Sequence, residues 1–363
     1  MSRVFLIICI TSFLSACSNE ERVNTEHSQY VQNLWEKTIS QSLKEPLWLS
    51  DFAYDASTSL MVPMHYSFKH SQRFDTNTAQ EFDKFFEQVS FFFHPSQIES
   101  RVTKTQFMYF VSQYLKLRAN NGLWDAKDEK LFVLLNEELN LLWNQEEAWH
   151  WDNSLSFSGI KERILWKLNS NNQRLSYYNA FIDEEWFSLS AISDLIFIGK
   201  KIKIEYSFDE EKITEISNRL LQTYLSYENG YLYFQKGIWF DHRDYSHAGH
   251  NELSNNLAPK YIKNIAIDSS HSHRYPLFLE SMKDIAVDRE FYSDVKKELM
   301  RTYNDNVLTS DEIEGQFSIL QTNYFDGNNG VYRYNYSTLG ESGGYGPFQL
   351  SGTLFVGYYV FFE

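Results

Sequence analysis

Cysteine is almost absent from this 363-residue chain, which contains only Cys9 and Cys17. A disulfide framework needs several cysteines distributed over the fold, and a thiolate zinc site needs them as ligands. The chain beyond residue 17 therefore cannot contain a disulfide, a thiolate metal site or a cysteine nucleophile.

Glycine and proline are also scarce, at 15 and 6 residues. Because these two residues are the main interrupters of helices, their scarcity predicts a mainly helical protein. Hydrophobic residues make up 43% of the chain and aromatic residues 17%, which is enough apolar surface to build a folded core. Nine of the glycines lie between residues 315 and 357, so the C-terminal part is expected to be rich in loops.

Basic residues are outnumbered, with 33 lysines and arginines against 48 acidic residues and a formal net charge of -15. Binding of nucleic acid relies on basic surface, so nucleic acid is not an expected partner. The charge favours neutral or cationic ligands, although a local basic pocket could still bind an acidic sugar. The Walker phosphate loop and the GxGxxG dinucleotide motif are both absent.

Apolar residues recur at helical spacing along most of the chain. This pattern predicts helices within residues 30–43, 78–93, 96–118, 125–142, 158–168, 189–199, 209–228, 253–265, 276–287, 288–303 and 311–320. Residues 63–75 are expected to be irregular. Aromatic and β-branched residues around Lys236 and Gly237 predict a short β-hairpin near 231–240.

No flexible linker separates these helices, so residues 28–363 are expected to form a single domain. Many helices with short connections fit either a solenoid or helix pairs closed into an (α/α) toroid. A solenoid should show a fixed repeat period, and no convincing repeat is present. The sequence therefore favours a mainly α fold, an (α/α) toroid or barrel with a short hairpin and a loop-rich C-terminal segment.

The first residues form a targeting segment rather than part of the fold. A short basic start precedes an apolar run at residues 4–14, which is too short to span a membrane. The following Leu14-Ser15-Ala16-Cys17 resembles the lipobox of bacterial lipoprotein precursors. The resemblance implies a signal peptide at 1–16, a lipid on Cys17, a tether at 17–27 and attachment to a membrane. Because Ser18 rather than Asp follows the cysteine, the outer membrane is the expected location, at its periplasmic face or at the surface.

Five of the ten histidines lie between Trp239 and Tyr275, within the motifs WFDHRDYSHAGH and DSSHSHRY. Histidine changes charge near neutral pH and a carboxylate can orient it, so the segment is a candidate for acid/base chemistry. The candidate catalytic residues are Asp241, His242, Asp244, Tyr245, His247, His250, Asp268 and His271. Candidate substrate-binding residues in the same segment are Arg243, His273, Arg274 and Tyr275, because arginine can bind a carboxylate in bidentate fashion.

Two other interpretations of this segment stay open. His247, His250, His271 and His273 could instead bind zinc or another divalent metal, although no HExxH motif is present. Alternatively, the same residues could cap helices and satisfy buried backbone groups. No cofactor is predicted, and a divalent metal remains possible.

Two further groups are candidates for ligand contact. The loop DGNNGVYR and the later GGYGP contribute Asp326, Asn329, Arg333 and Tyr345, although most such loops are only turns. Trp149 and Trp151, in the motif WHWD, offer flat aromatic faces of the kind that bind sugars, although large aromatics are more often packed in a core.

The helix pairs, the two histidine-containing motifs and the late glycine-rich loops together resemble bacterial (α/α)-toroid proteins that act on polysaccharides. The resemblance implies a lyase, epimerase or glycoside hydrolase that binds a polysaccharide or oligosaccharide. In a lyase or epimerase, Tyr245, His247, His271 and Arg274 would act on a uronic acid. In a hydrolase, Asp241 or Asp244 would act with Asp268. The alternatives are a non-catalytic envelope lipoprotein that binds glycan or protein, and a metal-dependent hydrolase.

Overall fold

The computed structural model of the protein describes residues 35–70, 78–151, 153–170, 174–252, 254–314 and 318–333. The predicted signal peptide and tether, together with Cys17 and Tyr345, lie outside the described residues, as does the His273 side chain. The predicted lipid attachment and the predicted contact of Tyr345 with a ligand therefore stay predictions.

Helices dominate the described part of the chain, as the scarcity of glycine and proline predicts. A short helical segment, Trp35–Ile39 followed by Ser40–Ser42, precedes the longer helices. The longer helices are α1 Ala53–His70, α2 Thr78–Phe92, α3 Arg101–Asn120, α4 Ala126–Asn144, α5 Ile160–Asn169, α6 Asp183–Ile202, α7 Glu210–Tyr224, α8 Tyr275–Ile285 and α9 Arg289–Thr302.

Helices α3 and α6 form the centre of the molecule, and most of their residues are buried. Helix α3 packs against α1 and α6, and α8 packs against α6. Polar groups at this centre bind one another: Asp194 accepts hydrogen bonds from Ser112 Oγ at 2.8 Å and Gln113 Nε2 at 2.5 Å and pairs with Lys116 Nζ at 3.2 Å. These contacts satisfy polar atoms that would otherwise be costly to bury.

The described strands form three antiparallel pairs: β1 Ala148–Trp149 with β2 Ser156–Phe157, β3 Leu225–Glu228 with β4 Tyr231–Phe234, and β5 Leu308–Glu314 with β6 Ser318–Gln321. The hairpin expected at 231–240 lies at 225–234. Its turn is Asn229-Gly230, where both residues have positive φ angles of 53° and 85°. Asparagine followed by glycine tolerates this geometry, which fits the twist of a two-residue hairpin.

Three other expectations from the sequence are wrong. Residues 63–70, expected to be irregular, belong to α1, where Pro63 is tolerated inside a helix whose neighbours Val62 and Met64 are buried. No helix forms at 254–265, because this backbone binds the histidine motif: Lys260 N donates to Ser246 O at 2.7 Å and Gly249 N to Lys260 O at 2.9 Å. The range 311–320 contributes to strands β5 and β6.

Candidate acid/base site

Three segments selected from the sequence come together in the structure, namely 241–250, 268–275 and 326–333. Tyr245 OH donates a hydrogen bond to Asp268 Oδ2 at 3.0 Å, which joins the first two segments. Val331 N donates to His250 O at 2.8 Å, and Arg333 N to Asp244 O at 3.0 Å, which joins the third to the first. The sequence therefore locates correctly a region in which distant polar residues converge.

The centre of this region is a pair formed by Asp268 and His271. His271 Nδ1 lies 2.6 Å from Asp268 Oδ1, and because an ionised carboxylate only accepts, Nδ1–H is the donor. Asp268 is buried, whereas the His271 side chain is only partly buried. The other oxygen of Asp268 is held by Tyr245, whose own hydroxyl oxygen accepts a hydrogen bond from Asp268 N at 3.0 Å. The carboxylate that orients His271 is thus fixed on both sides.

The buried Tyr245 and the partly buried Tyr332 keep their protons beside this carboxylate. Burial and the charge of Asp268 raise the pKa of Tyr245 well above its usual value. The same two causes raise the pKa of Tyr332. Both hydroxyls are therefore hydrogen-bond donors throughout the neutral range and support the ionised form of Asp268.

Asp183 and Tyr54 complete the region, and sequence analysis missed both. Asp183 is the first residue of α6, and its Oδ2 lies 4.0 Å from His271 Nε2 and 2.6 Å from an Arg274 terminal nitrogen. Arg274 also donates to Tyr54 OH at 3.4 Å. The acidic run at residues 183–185 was a local signal for a helix start, but nothing local indicates that Asp183 faces a histidine so distant in the chain.

Two of the arginines selected as substrate contacts, Arg274 and Arg333, already have carboxylate partners. Arg274 is buried and pairs with Asp183, and Arg333 Nε donates to Asp244 Oδ2 at 3.2 Å. Burial alone lowers the pKa of Arg274, but the Asp183 carboxylate raises it overall. Arg243, by contrast, has a side chain that is 85% exposed and lies 3.7 Å from Asp244.

Asp241 and His242 support the local structure. The two oxygens of Asp241 accept from Ser176 N at 2.7 Å and Tyr177 N at 3.2 Å, and thereby cap the short helix at 176–179. His242 Nδ1 accepts from Asp244 N at 3.3 Å. Its ring lies among aromatic rings, 4.9 Å from Tyr177 and 5.7 Å from Trp151 between centroids. Burial lowers the pKa of His242, so the ring is mainly neutral at pH 7.

His247 and His250 bind the neighbouring backbone. His247 Nε2 lies 3.1 Å from Leu257 O, and His250 Nε2 lies 2.8 Å from Ala258 O, so both ring N–H groups donate to carbonyls. Among the side chains that the structure describes, no group of three histidine, cysteine or acidic residues could hold a metal ion. The geometry of His247 and His250 thus matches the structural interpretation that the sequence left open.

The remaining candidates in the loops serve turns or the core. Asp326 accepts from Ala266 N at 3.1 Å and from Asn328 N at 3.2 Å. Asn329 Oδ1 accepts from Asn323 N at 3.1 Å, and Tyr275 is buried against Phe234.

Trp149 and Trp151 are unusually accessible for tryptophans, at 46% and 39% exposure. They line a cleft of about 300 Å³ together with residues from α3, α5 and the start of α6. The Trp151 ring also contacts Trp239 at 5.9 Å, and Trp239 stacks on Tyr245 at 6.1 Å. Aromatic contacts therefore connect this cleft with the Asp268–His271 pair.

Comparison with protein-family models, with curated proteins and with solved structures gives no match to this chain. Across the residues that the structure describes, no helix has both the length and the apolar content needed to cross a membrane.

Proposed function

We propose that the protein is a lipid-anchored envelope enzyme that hydrolyses a polysaccharide, with the Asp268–His271 pair as its general acid/base. The observation that carries the proposal is the 2.6 Å contact between Asp268 Oδ1 and His271 Nδ1. A carboxylate at Nδ1 fixes the ring tautomer and stabilises the imidazolium that forms when Nε2 takes up a proton. Nε2 is then the atom that exchanges a proton with the glycan or with the attacking water.

The charges around the pair favour hydrolysis over elimination or epimerisation of a uronic acid. A lyase or epimerase must neutralise the substrate carboxylate, for which arginine is well suited. Arg274 and Arg333 are already neutralised by Asp183 and Asp244. A uronate would have to displace these partners, whereas a neutral sugar would not.

The arrangement of the helices and the N-terminal motif support the remaining parts of the proposal. Helices α1, α3, α6 and α8 pack side by side, with α2, α4, α7 and α9 against them. We infer from this layering that the helix pairs form an (α/α) toroid-like domain. The lipobox at residues 14–17 supports lipid attachment at Cys17, and Ser18 supports location at the outer membrane.

The test is a depolymerisation screen with neutral and uronic polysaccharides, comparing the wild-type protein with His271→Gln. New reducing ends measure hydrolysis, and ultraviolet absorbance by unsaturated uronates measures elimination. Because general acid/base catalysis contributes about 10²–10⁴ in rate, His271→Gln should lower the rate at least about 100-fold. His94→Gln, at an exposed histidine outside the site, is the matched control and should keep the wild-type rate.

Equal rates for His271→Gln and the wild type would refute the assignment of the acid/base. Formation of unsaturated products would show that the protein is a lyase and not a hydrolase. Both outcomes leave the fold and the envelope location untouched.

A non-catalytic envelope lipoprotein that binds glycan or protein is the second candidate. It is favoured by the backbone bonds of His247 and His250 together with the exposed rings of Trp149 and Trp151. Saturable glycan binding without turnover by the wild-type protein would support this candidate over the enzyme.

A further inference from the structure

The cleft beside Trp149 and Trp151, called here the Trp149 cleft, has a floor of buried ion pairs. Arg163 donates to Glu185 Oε1 at 2.8 Å and to Glu184 Oε2 at 2.7 Å. Lys167 Nζ donates to Glu185 Oε2 at 2.9 Å, and Arg101 Nε lies 3.2 Å from Glu184 Oε1. Every cation on this floor thus has a carboxylate partner.

This charge balance determines which ligands the cleft can accept. Removing one partner of a buried ion pair leaves an uncompensated charge, which is strongly unfavourable. An anionic sugar could bind one of these arginines only by displacing a carboxylate: Glu184 or the fully buried Glu185 at Arg163, and Glu184 or Glu146 at Arg101. An uncharged ligand leaves all of these pairs intact. The Trp149 cleft therefore selects against uronates despite its three cationic side chains.

One polar atom of the floor, Glu184 Oε1, can accept a further hydrogen bond. Within the described residues, Glu184 Oε1 pairs with Arg101 Nε at 3.2 Å but accepts no hydrogen bond of regular geometry, and the Glu184 side chain is only 9% exposed and lines the cleft. A carboxylate oxygen has two lone pairs, so this atom can accept a hydrogen bond from a ligand in addition to its ion pair. A sugar hydroxyl is a donor of the required kind.

The walls supply the apolar contact that sugars need. The exposed faces of Trp149 and Trp151 are flat apolar surfaces next to polar groups, which suits the C–H face of a pyranose ring. The volume of about 300 Å³ is at the lower end of the range for small-molecule sites. A cleft of this size suits a short stretch of a glycan chain.

We propose that the Trp149 cleft is a subsite that binds an uncharged sugar residue of the glycan, stacked on Trp149 or Trp151 and hydrogen-bonded to Glu184. The inference rests on the proposed function only for the class of ligand. Asp183, next to Glu184 at the start of α6, faces His271. A chain bound in the cleft is thereby directed towards the acid/base pair.

The test measures binding without turnover, using the full chain with His271→Gln. Neutral oligosaccharides based on glucose, mannose, xylose and N-acetylglucosamine are titrated by calorimetry and tryptophan fluorescence, beside oligouronates of equal length. At least one neutral oligosaccharide should bind more tightly than every oligouronate. Adding Trp149→Ala or Trp151→Ala should weaken this binding about tenfold, the size expected for the loss of one aromatic contact. Tyr227→Ala, at an exposed aromatic on the β3–β4 hairpin, is the matched control and should leave it unchanged.

Tighter binding of an oligouronate, or no binding of any neutral oligosaccharide, would overturn the subsite. Equal affinities of the tryptophan variants and of the Tyr227→Ala control would also overturn the subsite. Each variant is first compared with the wild type by thermal unfolding, and Trp149→Phe retains an aromatic face if the alanine variant fails to fold. If binding obeys these expectations but the wild-type protein hydrolyses none of the polysaccharides, the result would support the subsite and count against the proposed function.

Discussion

His65 allows the sharpest quantitative prediction, because burial lowers its pKa from 6.5 to about 4. Its Nε2 lies 2.6 Å from Gln113 Oε1, next to the polar centre of α3, α6 and α8. The charged groups around it are Lys116, Glu280 and Lys296. A proton on His65 would add a positive charge beside Lys116 in a partly buried site.

The sign of the pH effect follows from the direction of this shift. The unfolded chain binds the proton near pH 6.5 and the folded chain only near pH 4, so the unfolded state binds more protons between these values. Stability from neutral His65 is therefore fully present above pH 6.5 and is lost as the pH falls towards 4. Between pH 7 and pH 4.5 the loss of stability is about 2 kcal/mol, because each pH unit over which only the unfolded chain binds the proton costs about 1.36 kcal/mol.

The assay is urea unfolding followed by tryptophan fluorescence at pH 7 and pH 4.5, comparing the wild type with His65→Gln. Glutamine can still donate to Gln113 but cannot titrate, so the variant should lose about 2 kcal/mol less than the wild type between the two pH values. His94→Gln, at an exposed position, should follow the wild type at both values. Identical pH dependence of the wild type and His65→Gln would refute the reasoning.

The remaining predictions concern the ion pairs, the central loop and metal. Arg163→Met should lower the free energy of unfolding by about 3–5 kcal/mol, because it leaves Glu184 and Glu185 with too little positive charge. Lys200→Met breaks a pair of similar length at the surface and should cost less than about 1 kcal/mol in the same urea titration. Gly330→Ala should cost several times more than Gly122→Ala, because a Cβ at Gly330 would lie 1.7 Å from Ala248 O, whereas Gly122 has open space and only a positive φ, worth about 1 kcal/mol. Comparable losses for the two glycine variants would contradict the close approach of the 326–333 loop. Treatment with EDTA should leave the melting temperature unchanged, since the described residues contain no group suited to a metal; a drop that zinc reverses would restore the metal hypothesis.

The elements that the sequence predicts well are those decided by local contacts. Helix α4 begins where expected, because Asp125 accepts from Lys127 N at 2.8 Å and caps the helix. The end of α7 was misplaced because apolar spacing continues past Tyr224 into β3. The positive φ angles at Asn229 and Gly230, not periodicity, decide that a hairpin forms there. The absence of a helix at 254–265 depends on bonds to the histidine motif, which no local pattern reveals.

The residues of the candidate site also fall into two groups, those that a local sequence pattern indicates and those that only the fold brings together. Tyr245, Asp268 and His271 could be selected because titratable residues cluster locally. Asp183 and Tyr54 could not, since each contacts the site across a long stretch of intervening chain. Sequence density also could not separate His271, which pairs with a buried carboxylate, from His247, which binds a backbone carbonyl. The partner of each ring nitrogen distinguishes their roles, and that partner is a property of the fold.

The first turn of α6 fixes the position of the Trp149 cleft relative to the Asp268–His271 pair. Acidic residues in a first helical turn gain only about 0.3–1 kcal/mol each from the helix dipole, which is too little to justify burying Glu185. Each acid is instead paired with cations: Asp183 binds Arg274, Glu184 binds Arg101 and Arg163, and Glu185 binds Arg163 and Lys167. Three consecutive residues of one rigid turn therefore tie the surroundings of His271 to the floor of the Trp149 cleft. A sugar held in the cleft would meet the histidine at a distance set by that single turn, which is the positioning that acid/base catalysis on a bound chain requires.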